Sequence, residues 1–122
     1  AANSTIAGSS ALQFDGTFGN LSANRTITVS NSANTTFDDI NISANATGRE
    51  LFLDGTGNVI VNGVIDNGGG SNDSVFTKLS SGTLTLNGAN SFSRYTSISG
   101  ITQIGNDSAF GTGITWFMGG TV

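Results

Sequence analysis

Asp38-Asp39 is the only adjacent acidic pair in the chain. Clustered carboxylates can serve general acid–base work, and some solenoid enzymes use them to cleave or eliminate acidic polysaccharides. Neighbours in an extended strand point to opposite faces, so this pair diverges unless a turn gathers it, and a solvated turn is the expected place. Asp66-Asn67-Gly68-Gly69-Gly70-Ser71-Asn72-Asp73 is rich in oxygens of the kind calcium takes. It lacks the D-x-[DN]-x-[DN]-G spacing with a distal glutamate, and the nonapeptide period of calcium-binding β-rolls. An outward loop is expected there. Gly55-Thr56-Gly57 does not complete a G-x-G-x-x-G fingerprint, and no helix follows it. Cys and His are both absent. That removes disulfides, structural zinc, thiol catalysis and His-dependent triads. No catalytic residue, cofactor or metal ligand is expected.

The remaining candidates are surfaces. Trp116-Phe117-Met118 is the most apolar short run, and alternation sets Phe117 opposite to Trp116 and Met118. The three are expected to meet a following turn of chain or a second copy. Arg94-Tyr95 is expected on an outer loop facing sugar or a partner. Asn-x-Ser/Thr triplets stand at Asn3, Asn20, Asn24, Asn34, Asn41, Asn45, Asn72 and Asn106. They carry glycans only if the source is eukaryotic. Eight acidic against four basic residues give a net charge of −4, which argues against nucleic acid or an anionic membrane as partner. No apolar run approaches the roughly 20 residues of a membrane span.

The elements that must position these residues are strands. Gly, Asn, Ser and Thr make up 64 of the 122 residues, a composition that could mean a flexible linker. The pattern says otherwise. Arg25-Thr26-Ile27-Thr28-Val29, Leu51-Phe52-Leu53, Val59-Ile60-Val61 and Thr83-Leu84-Thr85-Leu86 alternate with period two. No window carries a helical stripe, and Gly and Asn recur at intervals that break helices. Leu12-Gln13-Phe14-Asp15-Gly16 resembles Leu51-Phe52-Leu53-Asp54-Gly55 and Leu84-Thr85-Leu86-Asn87-Gly88, with Val59-Ile60-Val61-Asn62-Gly63 as a nearby echo. The closing glycines Gly16, Gly55 and Gly88 lie 39 and 33 residues apart, near two coils of about 20 residues each. Asx-Gly at each end suits a corner that needs positive φ. The same dipeptides also favour hairpins, so an antiparallel β-sandwich stands as the alternative.

The stretch from Val75 to Gly113 resembles the passenger-associated transport repeat of bacterial autotransporters. It carries Phe76-Thr77-Lys78, Gly82-Thr83-Leu84-Thr85-Leu86-Asn87-Gly88-Ala89-Asn90-Ser91-Phe92, Thr96-Ser97-Ile98, Gln103-Ile104-Gly105 and Ala109-Phe110-Gly111-Thr112-Gly113. Phe92 stands where that family has Tyr, and Arg94-Tyr95 where it has Gly-Gly. Leu51 to Gly70 resembles the coil that usually precedes the repeat. The resemblance implies a right-handed parallel β-helix outside the cell, part of a stalk linked to folding and secretion.

The expected fold is all-β: residues 1–122 as one parallel β-solenoid of about six rungs of ~20 residues, stacked ~4.8 Å apart. Its corners are Gly16, Gly55, Gly63 and Gly88. Its core holds Phe14, Phe37, Phe52, Leu53, Phe76, Leu84, Leu86, Phe92, Ile98, Ile104 and Phe110. The chain opens on Ala1 and closes on Gly119-Gly120-Thr121-Val122 with no evident cap. It therefore reads as a processed or excised piece whose bare ends invite strand addition. The expected function is non-enzymatic: an extracellular or cell-surface column, its partners copies of itself, adjoining rungs of a longer passenger, or cell-surface glycans or matrix. The competing expectations are a subunit of an end-to-end fibre, a carbohydrate-active β-helix enzyme, and a lectin-like sandwich.

Overall fold

The computed structural model describes residues 3–43, 47–68 and 73–122. Gly69 to Asn72 of the expected outward loop, and the triplets beginning at Asn45 and Asn72, fall wholly or partly outside the described residues. In chain order the strands are β1 (Ser4–Ile6), β2 (Leu12–Leu21), β3 (Arg25–Val29), β4 (Thr35–Ser43), β5 (Glu50–Asp54) and β6 (Val59–Val61). There follow β7 (Ile65–Asp66), β8 (Val75–Lys78), β9 (Thr83–Leu86), β10 (Arg94–Ser97), β11 (Ile101–Ile104) and β12 (Ile114–Phe117). Among the described residues there is no helix.

The strands stack into two six-stranded sheets, ordered β1-β3-β5-β8-β10-β12 and β2-β4-β6-β9-β11, with β7 paired to β4 beside the second stack. Every strand pairing among the described residues is parallel. Apart from β6 and β7, which both pair with β4, sequence-adjacent strands belong to opposite sheets, so the chain winds as a β-solenoid of about five turns. Parallel pairing throughout rules out the antiparallel sandwich. A hairpin turn cannot join parallel strands, so each Asx-Gly acts as a corner and not as a I′ turn.

β4 is long because it bends. Its first part, Thr35 to Phe37, pairs with β6, and Ile40-Asn41 pairs with β7. The bend falls at Asp38-Asp39. β2 bends at the matching place, where the register shifts between Phe14 and Thr17 around Gly16, whose φ is 80°. Above β7 this third face continues through isolated bonds, among them Ser91 N to Ile65 O, Asn90 N to Ser108 O and Thr112 N to Phe92 O. Turn length falls with it. Leu51 to Phe76 takes 25 residues (76 − 51), and Phe76 to Tyr95 only 19 (95 − 76).

The register corrects the reading of the repeat. Phe14, Phe37, Val61, Leu86 and Ile104 form one inward line, and Asp15, Asp38, Asn62 and Asn87 follow it directly at the corner. Asn87 Nδ2 donates to Asn62 Oδ1 at 2.9 Å. Leu51 to Gly55 lies on the other sheet, with Leu53 between Ile27 and Lys78. The spacings of 39 and 33 therefore join two different faces. Apolar-x-apolar-Asx-Gly ends strands on both sheets, because both need an inward pair followed by a turn. Gly55, with φ 100°, has the left-handed backbone expected of a corner. Gly63 and Gly88 do not; what they need is room. A Cβ on Gly63 would lie 2.7 Å from Asp38 O, and one on Gly88 2.6 Å from the Gly63 carbonyl carbon.

Leu53, Phe76, Leu84, Leu86 and Phe92 lie buried in the core with Phe37, and Phe14 and Phe110 pack half-buried against it. Three expected core residues do not. Phe52 is half-buried on the outer face, in register between Thr26 and Thr77. Ile98 follows the inward-facing Ser97 by one residue, and alternation turns it out to 44% exposure. Ile104 continues the inward line above Leu86 but is 50% exposed, because no strand covers that side. Eight of the ten aromatic residues form two groups: Phe14, Phe18 and Phe37 low in the column, and Phe76, Phe92, Tyr95, Phe110 and Phe117 high in it.

Candidate functional site

The terminal turn is where side chains gather that the column does not bury. Ile98, Ile101, Ile104, Ile114, Trp116, Phe117, Met118 and Val122 are all exposed, whereas only Leu12 and Val64 are exposed large hydrophobics elsewhere among the described residues. β11 and β12 are the last strands of their sheets, so each has a neighbour on one side only. The outer edge of β12, and that of β11 beyond its single bridge to Thr121, carry unpaired backbone groups, a template for a further parallel strand.

The expected triplet sits there. Phe117 pairs in register with the inward Ser97 and packs edge-on against Phe110 at 5.4 Å and Tyr95 at 6.0 Å between ring centroids. Its other side is uncovered, and the residue is 43% exposed. Trp116 faces outward beside Thr96, with the Arg94 guanidinium 5.5 Å from its ring centroid. Met118 is 69% exposed. Thr121 already returns to the other sheet. It bridges Ile101 in parallel, donating to Gly100 O and accepting from Thr102 N, both at 2.8 Å. The stack that ends in β12 stands six strands tall and the stack that ends in β11 five, and Thr121 begins the strand that would level them.

Beneath this turn lies a polar interior that the pattern of apolar residues gave little reason to expect. Lys78 occupies the inward line between Leu53 and Ser97 and has no solvent-accessible surface. Its ammonium donates to Ser80 O at 2.6 Å and Ser99 O at 2.7 Å, tying two successive corners together. Burial pulls its pKa down to about 8. Tyr95, also fully buried, shares a 2.7 Å hydrogen bond with Thr102 Oγ1 across to the opposite sheet. Burial pushes its phenol up to about 12. Asn90 accepts from Ile65 N at 2.7 Å and donates to Ala109 O at 2.6 Å, so one side chain joins three turns. The sequence signals for these three are slight: a lysine at an alternating position after Phe76, and polar residues inside an otherwise regular run.

Tyr95 is thus a core residue, and only Arg94 of the Arg94-Tyr95 pair reaches the outer face. The acidic side chains are dispersed and work as caps. Asp39 Oδ1 accepts from Val64 N, Asp54 Oδ1 from Gly55 N, and Asp66 Oδ1 from Gly68 N. Glu50 Oε1 accepts from Thr77 Oγ1. Asp38 is exposed at the bend of β4. Among the described residues no three acidic side chains converge as metal ligands would. Neither a family model nor a curated protein nor a solved structure matches the chain.

Proposed function

We propose that the chain is a non-enzymatic structural column at a bacterial cell surface, a rigid segment of an autotransporter-like passenger whose terminal turn receives an adjoining turn. One observation carries the reading: the exposed large hydrophobics concentrate on residues 98–122, around two free parallel strand edges. A solenoid turn cannot bury its own apolar side and relies on the next turn to do so. The surface setting rests on the resemblance of residues 75–113 to the passenger repeat and on an outside dressed with Thr, Ser and Asn. A second reading, a fibre subunit joined end to end, draws on β1 and β2, which present free edges of the same strand direction at the other end.

The test is a chain with residues 85–104 repeated after Val122. Thr121-Val122 would then run into Thr85-Leu86 and complete a strand over β11, since Thr121 pairs with Ile101 as Thr83 does. The expected result is weaker binding of the hydrophobic dye ANS and a higher urea midpoint. Unchanged dye binding, with the added residues cut readily by protease, overturns the reading.

A further inference from the structure

The outer face of the β4-β6-β9-β11 stack carries a groove of about 290 Å³ that the docking role of the terminal turn does not use. Two register lines build it. Asn34, Asn58 and Thr83 directly precede the paired inward residues Thr35, Val59 and Leu84, and Ile60, Thr85 and Gln103 pair with one another in succession. The groove therefore crosses four turns and runs along the column axis, offering side chains at every strand step of about 4.8 Å.

Its chemistry is narrow. The side chains named are carboxamides and hydroxyls over the half-buried Ile60, and no charged residue lines it. Asn58 Oδ1 accepts from Thr83 N at 3.0 Å, and Gln103 Oε1 accepts from Thr85 Oγ1 at 3.2 Å. These bonds orient both carboxamides and leave their NH₂ groups as donors. An ionic ligand would surrender hydration with no counter-charge in return. An apolar one would leave the amides unpaired. A ligand that fits is neutral, straight, rich in hydroxyls along its edges, and able to lay a C–H face on Ile60. An extended chain of β-1,4-linked hexopyranoses has these properties, and its ring repeat is close to one strand step. An α-1,4-linked chain of the same sugars coils away from a straight line. We propose that this groove binds an extended, neutral β-1,4-linked glycan along the column axis, with successive rings over successive turns.

Cellohexaose titrated into the ¹⁵N-labelled chain tests this, with maltohexaose and a heparin hexasaccharide as comparators. The expected result is saturable shifts confined to Asn34, Asn58, Thr83, Thr85 and Gln103. Binding is expected to be at least tenfold weaker for maltohexaose and heparin, and for Ile60→Lys and Gln103→Glu. Thr28→Lys, on the opposite sheet, is expected to bind as the parent does. The second groove variant keeps the test decisive if Ile60→Lys loses its folded spectrum. Absence of a saturable shift with cellohexaose overturns the proposal. So do equal affinity for maltohexaose or heparin, retained binding in a folded groove variant, and shifts confined to the terminal turn around Trp116.

Discussion

Gly88→Ala and Gly16→Ala separate the two reasons for a glycine corner. Gly16 has φ 80° with open space around its would-be Cβ, so alanine there meets only the left-handed backbone penalty, about 1–2 kcal/mol. Gly88 has no such φ, but its Cβ would lie 2.6 Å from the Gly63 carbonyl carbon and closer still to the oxygen. Ordinary contact begins at 3.4 Å, so the two corners must part by at least 0.8 Å (3.4 − 2.6). Asn87 N donates to Val61 O at 3.0 Å and Asn87 Nδ2 to Asn62 Oδ1 at 2.9 Å, and that opening breaks both. Overpacking costs about 1–3 kcal/mol and each lost hydrogen bond about 0.5–1.5, which places Gly88→Ala at about 2–6 kcal/mol. The expected gap between the variants is about 2 kcal/mol, or about 1 M in urea midpoint at a slope near 2 kcal/mol per M. Urea unfolding followed by far-ultraviolet circular dichroism measures it. If Gly88→Ala proves as mild as Gly16→Ala, the corners at 63 and 88 are not stacked and the register is wrong.

Stability should rise with pH between about 8 and about 10.5, because in that window the unfolded chain holds a proton on Lys78 that the folded chain has released. Melting temperatures at pH 7.5, 9 and 10 check the rise, and Lys78→Met should flatten it. Tyr95 contributes the opposite sign between about 10 and about 12, where the unfolded chain loses its proton while the folded chain keeps it, so stability falls once the Lys78 rise ends near 10.5. Tyr95→Phe should remove that fall. Asn90→Ala strands the Ile65 amide and the Ala109 carbonyl, each at about 1–3 kcal/mol, so a loss of about 2–6 kcal/mol is expected in urea unfolding.

The strands were legible wherever alternation was strong, as at Thr83-Leu84-Thr85-Leu86, and the spacings of 39 and 33 pointed to stacked coils, although the register shows that those spacings join different sheets. The face to which a strand belongs was not. Leu51-Phe52-Leu53-Asp54-Gly55 and Leu84-Thr85-Leu86-Asn87-Gly88 have the same local pattern, and only the tertiary register shows that they lie on different sheets. Phe52 illustrates the consequence: hydrophobicity suggested the core, whereas Leu51 and Leu53 fill the inward positions and parity leaves Phe52 outside. The bend at Asp38-Asp39 was anticipated as a turn, though it lies inside one long strand. Lys78 was hidden for a different reason. Its place in the core depends on carbonyls from Ser80 and from Ser99, and the second belongs to the turn above. Trp116, Phe117 and Met118 stood out because apolar residues are scarce around them, yet their common position at the end of the column depends on β12 being the last strand of its sheet.

Negative-stain electron microscopy of the purified chain at rising concentration tests the central claim most directly. The account predicts short columns about 30 Å tall, six stacked strands at about 4.8 Å each, that associate only through their ends into straight files. Particles that join side by side and leave their ends free would contradict it.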